Sequence, residues 1–228
     1  MLAPRYKDAY NSILASLKDL QVDYLDLFLI HWPGIAKRPA TSPHHAAHRK
    51  SAWLALERAY TEGKVRAIGV SNYTLQHLQE MQSYATVLPH VHQFEAHPLY
   101  FAETAPMRAF CLEHSIAMQA YSSLGEGRFS LSPVTDEEKD YFVLPAVNSI
   151  AEQRGIRRAQ VLLAWCLQHN LAILPKSVHK ERMLENWQAQ DLSLSDEEMA
   201  QLDQRAGYPQ EQKLYCSFAF VHALESIL

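Results

Sequence analysis

The chain has 228 residues, 48% hydrophobic and 20% charged, which suffices for a substantial core and is too apolar for a disordered chain. Its 21 Lys and Arg against 25 Asp and Glu give a formal charge of -4, so no basic field exists to hold nucleic acid or an anionic membrane surface. Cys111, Cys166 and Cys216 are odd in number and never at metal-ligand spacing, which excludes a disulfide framework and a zinc ribbon and points to a reduced, cytoplasmic setting. No stretch approaches the roughly 18 apolar residues of a membrane span, and the start, MLAPRYKDAY, is charged where a signal peptide is apolar.

Tyr10, Ile13, Leu14, Leu17 and Leu20 recur at steps of three and four, one face of a helix ending near 19–21. Residues 24–32, YLDLFLIHW, are apolar on both faces and bounded by Pro33-Gly34, the pattern of a strand buried on both sides in a parallel sheet. A polar, His-rich loop over 36–50 precedes a helix from Ser51 to Glu62, closed by Gly63, and then a strand from Val65 to Val70. The same beat continues with helix 74–84, strand 91–95, helix 102–114, strand 116–121, helix 158–169, strand 171–174 and helix 179–188. Ser195 and Glu198 form a capping box for a last helix, with Leu194 and Met199 as its hydrophobic staple.

Strands alternating with helices, without a break in composition, predict one α/β domain over 1–206, either a doubly wound sheet or a barrel. Strands beginning near 24, 65, 91, 116 and 171 fit five units of a (β/α)8 TIM barrel, at roughly 31 residues per unit. Three more units would take about 90 residues, and 23 precede the first strand. The expected architecture is therefore an incomplete barrel with five of eight βα units, its N-terminal part absent. A tail, 207–228, has no turn chemistry and is not placed.

Chemistry in such a barrel sits at the carboxyl ends of the strands, and these ends are polar. His31 offers one hydrogen-bond donor in a ring that is neutral or nearly so at pH 7, beside the bulky Trp32. Ser71, Asn72 and Gln93 carry the donors and acceptors that grip a carboxamide, and Tyr121 presents a flat face for stacking on a ring. Gly125-Glu126-Gly127 starts a dinucleotide fingerprint that Ser130 breaks, so a loop lying over a pyrophosphate, with Ser122, Ser123 and Leu124, is the better use of those glycines. Lys176 and Ser177 follow a strand directly. Arg182, Glu185 and Asn186 share one face of the next helix near its positive end, which makes an anion site. Plainer roles are available to each: a satisfied loop histidine, a loop cap for Asn72, core packing for Tyr121 and a solvated helix face for Arg182. His44 and His48, at i and i+4 beside His45, suggest a metal only weakly, because no carboxylate is near and the segment reads as a loop. Cys111 and Cys166 fall within helices as buried, inert thiols.

The segments DYLDLFLIHWP (23–33), GKVRAIGVSNY (63–73), HQFEAHPLY (92–100), AYSSLG (120–125) and LPKSVHKERMLENW (174–187) resemble, in order, those of the aldo-keto reductases. These are NADP(H)-dependent barrel oxidoreductases, and the likeness runs to about residue 206. The resemblance implies that His31 orients a substrate carbonyl and that Trp32 lines the substrate pocket. It implies that Ser71, Asn72 and Gln93 hold the nicotinamide while Tyr121 stacks on it. Ser122, Ser123, Leu124 and Gly125 then cover the pyrophosphate, and Lys176, Ser177, Val178, Arg182, Glu185 and Asn186 hold the adenosine 2′-phosphate end. It also implies a small aldehyde or ketone as substrate, no metal, no nucleic acid, no membrane and, in a complete barrel, a monomer.

The family's proton-donating tyrosine, with its lysine and aspartate, comes from segments that precede the helix with which this chain opens. The chain is therefore expected to be N-terminally shortened and weak or inactive alone, with strand edges at 24–32 and 171–174 open to association. The alternative is a non-catalytic shortened form that binds NADP(H) weakly or acts through protein contacts.

Overall fold

The structure, a computed structural model, describes residues 4–39, 41–125 and 144–204. The tail from 207 with Cys216, and the glycine loop from Glu126 to Ser130, lie outside the described residues. The described chain forms two compact units, one up to Phe94 together with Pro106–Ala117, the other Glu95–Ala105 together with the residues from Met118 onward.

The first unit carries α1 (Pro4–Leu20), β1 (Leu25–Ile30), α2 (His44–Thr61), β2 (Val65–Ser71), α3 (Leu75–Met81), β3 (Val91–Glu95) and α4 (Ala105–Glu113). β1 pairs with β2 in parallel from Leu25 opposite Val65 to Ile30 opposite Val70, and β2 pairs with β3 through Gly69 opposite Val91 and Ser71 opposite Gln93. Parallel strands need a crossover, and α2 and α3 supply it. Trp53, Leu56 and Ala59 on α2 are buried with Ile68 and Val70 of β2, and the Trp53 indole donates to the Val87 carbonyl at 3.1 Å. The buried Glu57 carboxylate is satisfied by the Thr86 and Val87 amides, at 2.6 and 2.8 Å, and by the Thr86 hydroxyl, which anchors the approach to β3.

Two glycines are dictated by geometry. Gly63 sits at φ +71°, where it donates to the Tyr60 carbonyl at 3.0 Å while Lys64 donates to Ala59 at 2.9 Å, a Schellman termination that turns α2 into β2. Gly69 lets β2 approach β3: a Cβ there would lie 2.3 Å from the Val91 carbonyl oxygen and 2.6 Å from Leu29 Cδ2.

Three expectations change in this unit. β1 is half-buried rather than buried on both faces, because among the described residues it pairs with β2 alone. α2 begins at His44, not Ser51, so the histidine-rich stretch is largely helical. α3 stops at Met81, where Gln82, Ser83 and Tyr84 leave the helix through turns.

The second unit carries most of β4 (Ala117–Tyr121), then α5 (Pro145–Arg154), α6 (Arg158–Gln168), β5 (Leu171–Ile173), α7 (Lys180–Gln188) and α8 (Asp196–Asp203). β4 and β5 are parallel, from Met118 opposite Leu171 to Ala120 opposite Ile173. α6 is its centre, with every residue from Val161 to Cys166 buried. The capping box at Ser195 forms as expected, Glu198 accepting from the Ser195 amide at 2.7 Å. Asp203 then fastens α8, its Oδ1 accepting from the Trp165 indole at 2.9 Å and the His169 ring at 3.0 Å. α5 was not expected from the sequence; Pro145 opens it and Gly155 closes it at φ +65°.

Candidate active site

In the first unit the carboxyl ends of β1, β2 and β3 lie at one edge, and one residue sets their geometry. Asn72 follows β2 at φ +62°, a conformation that asparagine tolerates better than other side-chain-bearing residues. Its backbone amide donates to the Gln93 carbonyl at 3.0 Å, and its side-chain nitrogen donates to the His31 carbonyl at 2.9 Å and the Ser71 hydroxyl at 3.2 Å. One residue thus ties three strand ends, through its side chain to β1 and through its backbone amide to β3. His31, Ser71, Asn72 and Gln93, named from the sequence, are brought together. Ser71 is buried, Asn72 and Gln93 are half-buried, and the His31 side chain is exposed with its ring 5.6 Å from that of Trp32.

In the second unit Tyr121 ends β4 half-buried, its carbonyl accepting from Ala96 at 3.2 Å. The chain then turns sharply through Ser122 at φ +52° and Gly125 at φ +55°, closed by the Gly125 amide on the Ser122 carbonyl at 2.8 Å. Beside this turn opens a pocket of about 930 Å³ that also takes in Lys176, Ser177, Val178, Arg182, Glu185 and Asn186. Ser177 Oγ accepts from the His179 amide at 3.1 Å, setting the chain at the start of α7. Asn186 is buried, whereas Lys176 and Arg182 are exposed and free to move onto a ligand.

The sequence reading missed Arg157 and Arg158, which line the same pocket from the start of α6. Arg157 donates to Glu185 at 3.3 Å, so this carboxylate is held by a cation. A signal existed: two adjacent arginines at a helix N-terminus oppose the helix dipole and call for a compensating anion. Four cationic side chains, Arg157, Arg158, Lys176 and Arg182, face two carboxylates, Glu181 and Glu185. Ser123 lines the pocket as well, its hydroxyl buried beside the Cys166 thiol. Excess positive charge in a roomy pocket fits a phosphorylated ligand.

The other sequence candidates are spent on structure. His45 Nδ1 accepts from the Ile35 amide at 3.1 Å and its Nε2 donates to the Pro39 carbonyl at 2.7 Å, which pins the loop after β1. Cys111 and Cys166 are buried, and burial pushes both thiols up to about 12, so neither is a nucleophile at neutral pH. No described helix is long and apolar enough to cross a membrane.

Residues 4–206 match the model of the aldo/keto reductase family. The chain belongs to that family. It is 40% identical over 185 residues to the 9,11-endoperoxide prostaglandin H2 reductase of Trypanosoma cruzi, covering 81% of this chain and 58% of that protein. It is 37% identical over 198 residues to the glyoxal reductase of Bacillus subtilis, covering 87% of this chain and 63% of that protein. The chain thus spans about three fifths of the length of these relatives. Among solved structures, an aldo-keto reductase from a Medee basin deep-sea metagenome library superposes with a TM-score of 0.74 at 28% identity, covering 91% of this chain and 68% of the other. A Bombyx mori aldo-keto reductase in complex with NADP gives 0.70 at 29% identity, covering 87% and 62%. The five strands with their helices are accordingly five of the eight units of a (β/α)8 barrel.

Proposed function

We propose that this chain holds NADP(H) and presents a carbonyl for reduction, as part of an aldo-keto reductase acting on small aldehydes or ketones. The observation that carries the reading is the second unit's cationic pocket at the ends of β4 and β5. The Bombyx mori relative carries NADP, which supports the cofactor assignment.

In this reading Arg182 would fork onto the 2′-phosphate and Lys176 would add a point charge, while Arg157, paired with Glu185, keeps that carboxylate from repelling the ligand. Asn186 and Glu185 meet the base edge, Ser177 and Val178 the ribose phosphate, and Ser122, Ser123, Leu124 and Gly125 the pyrophosphate. Ser71, Asn72 and Gln93 would hold the carboxamide, and Tyr121 would offer its flat face to the nicotinamide ring. When bound, NADPH supplies the hydride. His31, ending β1 with an exposed imidazole, donates a hydrogen bond to the substrate oxygen and fixes the carbonyl's orientation, with Trp32 as a wall of the substrate pocket. The tyrosine that donates the proton in this family is not assigned to any residue of this chain.

Titrating purified chain with NADPH and following nicotinamide fluorescence tests this division of labour. Arg182→Ala is expected to weaken NADPH strongly and NADH barely, and His31→Ala to leave NADPH affinity near that of the parent. Equal loss of both cofactors in Arg182→Ala, or loss of cofactor in His31→Ala, would contradict the assignment.

A further inference from the structure

α2 buries a stripe of polar side chains at steps of four, His45, Arg49, Trp53 and Glu57, which share one helix face. Trp53 and Glu57 hold the approach to β3, whereas His45 and Arg49, nearer the start of the helix, reach the loop that follows β1. Between Ile30 and His44 the described residues form neither helix nor strand, so side chains do the fastening. Asn72 takes the His31 carbonyl at 2.9 Å, Arg49 Nη1 donates to the Pro33 carbonyl at 3.4 Å, and His45 spans Ile35 to Pro39. Trp32, half-buried, therefore stands between two held carbonyls.

We propose that His45 and Arg49 are positioning residues for the substrate side of the site: they set where Trp32 stands, and so shape the pocket wall from α2. The inference rests on the reading that gives Trp32 that wall. Stability alone does not account for the pair. Arg49 is a buried cation whose charge is met by Glu80 of α3, and such a pair offsets little more than its own desolvation, so apolar residues in its place are often as stable. What the guanidinium adds is geometry.

All three of its nitrogens are used. Nε, at 3.3 Å, and Nη2 donate to the two oxygens of Glu80 and fix the guanidinium plane, which leaves Nη1 for the Pro33 carbonyl and refers the loop to α3 as well as α2. His45 works through a neutral ring with one acceptor and one donor on opposite sides, a combination that few side chains offer. Nδ1 takes the Ile35 amide at 3.1 Å and Nε2 gives its proton to the Pro39 carbonyl at 2.7 Å, so one rigid ring closes the turn in which the Arg38 amide also donates to the Ile35 carbonyl.

Fluorine NMR of the full chain labelled with fluorotryptophan tests the proposal, because its tryptophans separate the loop from the helix. Trp32 reports the loop, Trp53 reports α2, and Trp165 and Trp187 lie in the second unit. In His45→Phe and in Arg49→Met, which keep bulk and remove the hydrogen bonds, the Trp32 resonance is expected to shift and broaden while that of Trp53 keeps its parent position. His45→Asn, the milder change, keeps an acceptor toward the Ile35 amide and gives up the Pro39 bond, and should fall between the parent and His45→Phe. With NADP+ present, so that nothing is reduced, benzaldehyde should bind His45→Phe and Arg49→Met roughly fivefold more weakly than the parent, because an unheld wall must be ordered on binding. A Trp32 resonance unmoved in both variants would overturn the proposal, as would one that moves only together with Trp53, since the two residues would then serve α2 and not the loop. Displacement of Trp32 alone with unchanged benzaldehyde affinity would uphold the clamp and count against Trp32 as the pocket wall.

Discussion

The side-chain amide of Asn72 donates to the backbone carbonyl of His31 at 2.9 Å, so the end of β1 is positioned by a residue of β2's loop. His31 therefore owes its placement to a side chain 41 residues away, itself held at φ +62°.

This relationship predicts two separable losses. Asn72→Ala removes the side-chain hydrogen bonds and puts a Cβ with no local compensation into the left-handed region, for a cost of about 2–3 kcal/mol. Asn72→Gly removes the same bonds without the strain and should be about 1 kcal/mol milder. Urea unfolding of the two variants measures the difference; identical midpoints would show that the backbone there is unstrained.

Gly69→Ala should be among the most damaging single-methyl changes in the chain. The new Cβ meets the backbone oxygen of Val91 at 2.3 Å, and a strand cannot withdraw as a flexible side chain does. Overpacking of this kind costs about 1–3 kcal/mol or more, so the variant should melt well below the parent. An unchanged melting temperature in calorimetry would mean that β2 and β3 are less tightly paired than their register implies.

The strands were legible in the sequence because most are short runs rich in apolar residues and ended by polar ones; the mixed run 91–95 agrees to the residue and 171–174 is one residue too long. Two helical stretches were not. The start of α2, from His44 to Lys50, follows Pro39 and Pro43 and has no apolar period, and its helicity is carried by the turns that continue from it. α5 did carry a signal, Val147, Ile150 and Ala151 at helical spacing between Pro145 and Gly155, but the polar stretch before it reads as one long loop. At the site, residues adjacent to strand ends were readable from the chain. Arg157 and Arg158 carried only the signal of paired cations at a helix start, since their place at the site arises when α6 brings them to the pocket that α7 lines.

Acid should destabilise the first unit well before its carboxylates protonate. Burial, with help from Arg49, pushes the His77 imidazole down to about 4, and burial pushes that of His92 down to about 3, against an ordinary value near 6.5. His77 Nδ1 accepts from the Thr74 amide at 3.2 Å, a bond that protonation ends. The unfolded chain binds protons below about pH 6.5 and the folded chain does not, so stability is full above that pH and falls as pH drops toward the folded values. The slope approaches about 1.4 kcal/mol per pH unit from each imidazole. His77→Gln should flatten the dependence between pH 6 and about 4 in denaturant melts; a pH profile identical to that of the parent would rule out His77 as a contributor.

The central claim is that the second unit's pocket recognises the 2′-phosphate of NADP(H). Calorimetric titration of the chain with adenosine 2′,5′-bisphosphate and with adenosine 5′-monophosphate, which differ only in that phosphate, isolates the contribution. A charge-assisted bond of about 1.5–3 kcal/mol predicts that the bisphosphate binds at least roughly tenfold tighter, and that Arg182→Ala erases most of the advantage. Equal affinity for the two nucleotides, or an advantage that survives the loss of Arg182, would contradict the account.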